Sequence, residues 1–220
     1  MSTQPDHSPR KRLAEAKRAL YREAILDAAE REFAGHGYDQ AKVTDIAKAA
    51  GVSLATLYAT FPKKHDVYRA LQKDRLEALM QQVGAVVLAA KDPFERLRGG
   101  IEGYLRFHME HPDYLRGQLR EGVPWGTTDQ LRTPEQTQAW EAGRMMMMGA
   151  FEAGMNDGWF VRDDPELCAR TATAMSQVRL SLWIDRDMDE PTDRVTTAAM
   201  QQILRTFAEP ARLEALLARL

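Results

Sequence analysis

Thr44-Asp45-Ile46-Ala47-Lys48-Ala49-Ala50-Gly51-Val52, running on into Ser53-Leu54-Ala55-Thr56-Leu57-Tyr58, carries the most informative spacing in this 220-residue chain. Two short helices that pack across one another need a small residue where they touch. They also need a glycine at the turn, where the backbone goes left-handed, and then apolar residues reaching back into the core. Ala47 meets the first need and Gly51 the second, while Val52 and Leu57 plug the interior. Thr44 is placed to cap the first helix and Ser53 the second, because a hydroxyl accepts from an otherwise unpaired N–H of the first turn. Phe61-Pro62 stops the second helix. The pattern is a helix-turn-helix.

The sequence on either side is helical as well. Arg18 to His36 sets Ile25, Ala28, Ala29 and Phe33 at helical spacing, with Gly37 as the C-cap. From Lys63 a long amphipathic helix runs through Val67, Leu71, Leu76, Leu79 and Val83 toward Ala90. Proline-marked starts then recur. Asp92-Pro93 opens a helix that ends before His111-Pro112, and Thr133-Pro134-Glu135-Gln136 is a capping box. Asp164-Pro165 opens a helix reaching Asp185, Glu190-Pro191 one ending before Pro210, and Ala211 to Leu220 holds a short terminal helix. Glu121 to Arg132, rich in Gly, Pro and Thr, reads as a loop. Strand signals are missing, so the fold class is all-α.

The longer constellation is more specific. Ile25-Leu26-Asp27-Ala28-Ala29, Phe33, Gly37-Tyr38 and Thr44-Asp45-Ile46-Ala47 lead into Ala50-Gly51-Val52-Ser53, then Thr56-Leu57-Tyr58, Phe61-Pro62 and Lys64. Over residues 18–70 this closely resembles the N-terminal DNA-binding domain of the TetR family of bacterial transcriptional regulators. Charge marks residues 1–17 as a basic, flexible arm, and the resemblance implies a three-helix DNA-binding domain over 18–65 and a helical effector-binding and dimerisation domain over 66–220. It makes Leu54 to Thr60 the recognition helix, with Leu54, Ala55, Thr56, Ala59 and Thr60 facing bases and Ser53 at its start. It places Tyr58 and Lys64 on phosphates, and Thr44 where a helix N-terminus meets the DNA backbone; helix N-termini attract anions. Members often carry a polar residue where this chain has Leu54, and a histidine or arginine where it has Ala59. Readout therefore leans on thymine methyls and hydroxyls, on DNA shape, and on Arg10 to Arg12 in the minor groove.

The second module holds all four tryptophans and the run Met145 to Met148, which points in every direction around its helix and is expected to be buried on most sides. Methionine fills irregular cores, so the run alone marks no pocket. The family resemblance does imply one, with Phe94, Tyr104, Phe107, Trp125, Trp140, Met148 and Phe151 as the expected lining for a small apolar or amphipathic effector. It also implies a homodimer through the last two long helices, using Met175, Val178, Leu182, Val195, Ala199 and Ile203, so that two recognition helices read a pseudo-palindromic double-stranded operator.

Composition sharpens this picture. The net charge of −2 averages a net of +4 over residues 1–75 and −6 over the remainder. A basic module joined to an acidic one faces two different partners. No P-loop, dinucleotide glycine signature or nucleophile elbow appears, and Gly99-Gly100-Ile101-Glu102-Gly103 has a spacing suited to close helix packing. His108 and His111 share a helix face, but with no evident third ligand they point to no metal. No catalytic residue and no cofactor is expected. One cysteine, Cys168, excludes an intrachain disulfide, and no apolar leader marks the first twenty residues, which fits a cytoplasmic protein. The competing reading is a helical metabolite-binding or scaffold protein whose first helices contact protein rather than DNA.

Overall fold

The computed structural model describes residues 9–120 and 134–220. Within them the chain forms ten helices: α1 (Pro9–Gln40), α2 (Val43–Ala49), α3 (Leu54–Thr60), α4 (Lys64–Ala89), α5 (Pro93–Glu110), α6 (Pro112–Arg120), α7 (Pro134–Asn156), α8 (Pro165–Asp185), α9 (Thr192–Phe207) and α10 (Leu213–Leu217). Among the described residues the only β-type pairing is an isolated bridge between Phe160 and Ala208. The chain divides into two compact units between Gln72 and Lys73, and α4 runs through that division.

In the first unit, α1 supplies Ile25, Leu26, Ala28, Ala29 and Phe33 to a core closed by Ile46, Ala47, Leu57, Phe61, Val67 and Leu71. Gly51 earns its place at the turn with φ 67°. There the N–H of Val52 donates to Ala47 O and that of Gly51 to Lys48 O, the paired bonds that close a helix through a left-handed residue. Ser53 caps α3 as expected, accepting from the Thr56 N–H at 3.0 Å. Thr44 does not cap α2. Lys42 occupies the cap, its carbonyl accepting from Asp45 and Ile46, and Thr44 sits exposed within the first turn. α1 already begins at Pro9, and its backbone leaves helical geometry at Gly37.

In the second unit α5 is central, packing with α7, α8 and α9. Its Phe94, Leu97, Ile101 and Leu105 recur every three or four residues and are almost wholly buried. Asp92 caps α5 through Glu95 N–H at 2.8 Å, and Asp164 caps α8 through Glu166 N–H at 2.8 Å. Gly99 and Gly103 turn toward Val86 and Val83 of α4, the close helix approach their spacing implied. α6, unexpected from the sequence, is a short helix with no apolar run long enough to announce it. The Thr133 cap and the 121–132 loop lie outside the described residues.

The methionine run is not buried on most sides. Met145 is 67% exposed and Met146 to Met148 are half-buried. α7 packs on α5 and α8 along one side, so one of four consecutive residues must face away. Val195, Ala199 and Ile203, expected at a dimer face, are core residues of α9 at 3% exposure or less. They are the inward stripe of a helix whose amphipathicity already serves its own protomer.

Candidate DNA-reading helix and ligand cavity

In the first unit α3 presents Leu54, Ala55, Tyr58 and Ala59 to solvent while Leu57 alone is fully buried. Leu54 is 40% exposed and Tyr58 45%, although neither is needed by the core. Thr56 and Thr60, expected to face bases, are half-buried, and their hydroxyls are engaged locally. Thr56 Oγ1 lies 2.8 Å from Ser53 Oγ, and Thr60 Oγ1 donates to Thr56 O at 2.9 Å. Thr60, which donates within its own helix, presents lone pairs rather than a proton, while in the Thr56–Ser53 pair either hydroxyl can be the donor.

Lys64 departs from its expected role. Its ammonium donates to three backbone carbonyls at the end of α1, Tyr38 O at 2.7 Å, Asp39 O at 3.1 Å and Ala41 O at 3.1 Å. It also lies 4.6 Å from the centroid of the Tyr38 ring. An ammonium has three donors, and all three are spent. Its neighbour Lys63 is exposed, as are Lys42 and Lys48 at the two ends of α2. These cations were not singled out in the sequence, because two adjacent lysines look alike until burial separates them.

The basic arm is also altered by the fold. Residues 10–20 are exposed and helical, carrying Arg10, Lys11, Arg12, Lys17 and Arg18 against a single acid, Glu15. An α-helix with its side chains is about 10–12 Å across and the minor groove about 6 Å wide. In this conformation Arg10 to Arg12 do not enter the minor groove as an extended arm.

The second unit holds a half-open cavity of about 560 Å³. Of the expected lining, Tyr104 and Trp140 are on its wall. Phe94, Phe107 and Phe151 are instead fully buried behind it, and Met147 and Met146 take the place expected of Met148. Trp125 lies outside the described residues. Large aromatics at core positions pack against neighbours on every side, so bulk and hydrophobicity alone did not separate wall from core.

The cavity also has a polar end that the sequence does not announce. His108, Gln118, Ser176 and Gln177 are all nearly inaccessible and all on the wall. His108 Nδ1 lies 2.9 Å from Tyr104 O, and Nε2 lies 3.2 Å from the Gln118 carboxamide. The Tyr104 hydroxyl bonds Gln177. Burial pushes the His108 imidazolium down to a pKa of about 4 and the Tyr104 phenol up to about 12, so both are uncharged at neutral pH. The signal lay in the polar residues of otherwise apolar helix faces, which are costly to bury without a purpose. Among the described residues no group of three or more His, Cys, Asp or Glu is placed to hold a metal ion, and no helix is long and apolar enough to cross a membrane.

Residues 25–71 match the family of bacterial regulatory proteins, tetR family. The HTH-type transcriptional repressor Rv1474c of Mycobacterium tuberculosis is 32% identical over 135 residues, spanning 57% of this chain and 72% of the relative. The HTH-type transcriptional regulator Rv1255c of the same organism, itself uncharacterized, is 28% identical over 203 residues, spanning 92% of this chain and 94% of its own length. The solved structure of the ketosteroid transcriptional regulator KstR2 of Mycobacterium tuberculosis shares the fold, with a TM-score of 0.74 at 21% identity over 86% of this chain and 95% of that one. A capped helix-turn-helix with its second helix turned to solvent, a helical unit around a cavity, and this kinship agree: the chain belongs to the TetR family of DNA-binding transcriptional regulators.

Proposed function

We propose that this regulator is a homodimeric repressor that holds a pseudo-palindromic operator until a small ligand enters the cavity of its second unit. The observation that carries the reading is the exposed face of α3, where Leu54 and Tyr58 are turned away from a core that could have buried them. Tyr58 reaches a phosphate, Leu54, Ala55 and Ala59 offer apolar contact to thymine methyls, and Thr56 and Thr60 accept from base edges. Lys63, Lys42 and Lys48 supply the phosphate charge that Lys64 has committed elsewhere. The helical basic residues from Arg10 to Arg18 add attraction along the DNA backbone. Dimerisation runs through the outward side of α8, where Leu167, Val178 and Leu182 are exposed at helical spacing. α4 is one continuous helix shared by both units and is the covalent route by which ligand binding biases the reading heads.

Gel-shift with genomic fragments at several salt concentrations tests the reading. Retention of particular fragments, falling steeply as salt rises, is the expected result. Retention of none, or of all fragments equally, would favour the scaffold reading in which the first helices contact protein.

A further inference from the structure

The wall of the cavity separates charge from polarity. Its formal charges sit at the solvent side: Arg96, Arg170 and Glu141 are exposed. Arg144, also on the wall, is engaged with Glu166 at 3.2 Å, as is Arg170 at 3.1 Å. The interior polar groups carry no charge. They are Tyr104, His108, Gln118, Ser176 and Gln177, set among aliphatic side chains such as Leu97 and Ile101.

A carbonyl only accepts, so His108 Nδ1 carries the proton it gives to Tyr104 O. The neutral ring then leaves Nε2 as an acceptor; the Gln118 amide oxygen placed 3.2 Å away cannot donate to it, so the carboxamide must be turned to set its NH2 against the ring. The Gln118 oxygen remains as an acceptor on the wall. Ser176 donates its proton back to Ala172 O at 2.9 Å. Gln177 bonds Tyr104 and keeps further donor and acceptor capacity. A wall of mixed neutral donors and acceptors satisfies a hydroxyl or a carbonyl. It supplies no counter-charge to a carboxylate or an ammonium, whose burial without one is costly.

We infer that the cavity takes an uncharged amphiphile, an alcohol or ketone on an apolar body, with its polar atom held between Gln118 and Gln177. The inference rests on the ligand-released repressor reading and names the ligand class of that cavity. Decan-1-ol, decanoate and decyltrimethylammonium share one chain and differ in charge, so isothermal titration calorimetry of the full chain at neutral pH ranks the three. Decan-1-ol should bind about tenfold or more tightly than either ion. Gln118→Leu and Gln177→Leu should each weaken decan-1-ol about tenfold, with folding checked by thermal melts. Equal or tighter binding of decanoate would assign the site to acids held by the rim guanidiniums, and equal binding of the cation would assign it to an aromatic cage. Either result, binding of no probe, or unchanged affinity in both folded variants overturns the inference. Operator retention without any probe is measured on the same preparation. Its absence would count against the repressor reading alone, and its presence beside a wrong ranking against the ligand class alone.

Discussion

Lys64 Nζ lies 2.7 Å from the carbonyl oxygen of Tyr38, making α4 and the end of α1 one hydrogen-bonded unit. Tyr38 in turn packs edge-on against Tyr68 of α4 at 5.0 Å, so the lysine and the aromatic pair close the same seam. Removing the ammonium leaves the Tyr38 and Asp39 carbonyls of α1, and that of Ala41 just beyond it, without this donor. Lys64→Met should cost about 2–3 kcal/mol of stability, read by urea denaturation of the full chain. The salt dependence of operator binding should stay as steep as in the parent. Lys63→Met should do the reverse, leaving stability intact and flattening the slope by about one unit. A flattened slope with unchanged stability in Lys64→Met would return that lysine to the DNA.

Tyr58 is nearly half exposed on a helix whose packing does not use it. Its hydroxyl is the only polar terminus longer than a threonine on that face. Tyr58→Phe should weaken operator binding about five-fold, evenly across operator variants, because a phosphate contact positions without reading sequence. The melting temperature should not move. A changed base preference in a selection from random duplexes would mean that Tyr58 reads a base edge.

The contrast between these two residues shows where sequence patterns stop being informative. Helix starts with a side-chain or proline signature, Asp92-Pro93 and Asp164-Pro165, were legible to the residue, because local chemistry sets them. The turn at Gly51 was legible for the same reason. Thr44 was misplaced by two residues because the cap of α2 is made by the Lys42 carbonyl, which has no side-chain signature. Lys64 and Lys63 are chemically identical neighbours, and only the geometry around the end of α1 separates a clamp from a surface cation. In the cavity, Tyr104 and Trp140 were found through their bulk, while His108, Gln118 and Gln177 were not. They come from α5, α6 and α8, and their meeting is a tertiary fact that no spacing within one helix encodes.

His108 ties that cavity to acid sensitivity. Burial lowers its folded pKa to about 4 from an ordinary 6.5. Between those values the unfolded chain binds a proton that the folded chain refuses, so stability rises with pH across that window and falls as pH drops through it. The loss approaches about 3 kcal/mol by pH 4. His111 is also lowered, first by burial and then by Arg75, and adds in the same direction. His108→Gln keeps hydrogen-bonding capacity and removes the titration. Its unfolding free energy between pH 7 and about pH 4.5 should fall less steeply than the parent's, with the His111 contribution left in both curves. Parallel curves would show that His108 titrates alike in the folded and unfolded chains.

Gly154 marks the tightest glycine approach among the described residues of the second unit. A Cβ there would stand 2.3 Å from Cδ2 of Phe160 and 2.4 Å from Cε2. That ring is held between neighbours, with Phe151 at 5.4 Å, and is essentially inaccessible. The Gly154 carbonyl also accepts from the Trp159 and Phe160 N–H groups as the chain leaves α7. Helix propensity alone would make Gly154→Ala stabilising by about 1 kcal/mol. Overpacking against a ring with nowhere to move should win, and the net effect should be a loss of about 1–2 kcal/mol in thermal or urea unfolding. A gain in stability would show that Phe160 has a second packing position.

The outward face of α8 carries the proposed dimer contacts, apart from the core. Val178 and Leu182 are 42% and 44% exposed, one turn apart, with Leu167 on the same helix also exposed. Their inward counterparts Ala172 and Leu180 are buried, as is the α9 stripe of Val195, Ala199 and Ile203. Exposed apolar residues in one stripe favour a self-complementary contact about a twofold. Val178→Glu with Leu182→Glu places two like charges against their symmetry mates and leaves the protomer core untouched. The double variant should run as a monomer in light scattering at micromolar concentration, with an unchanged helical signal by circular dichroism. Its affinity for a full operator should fall to that of a single reading head, while binding to an isolated half-site should change little. A dimer of undiminished stability would move the interface to another face. A monomer that still held the full operator with parental affinity would remove the twofold from recognition.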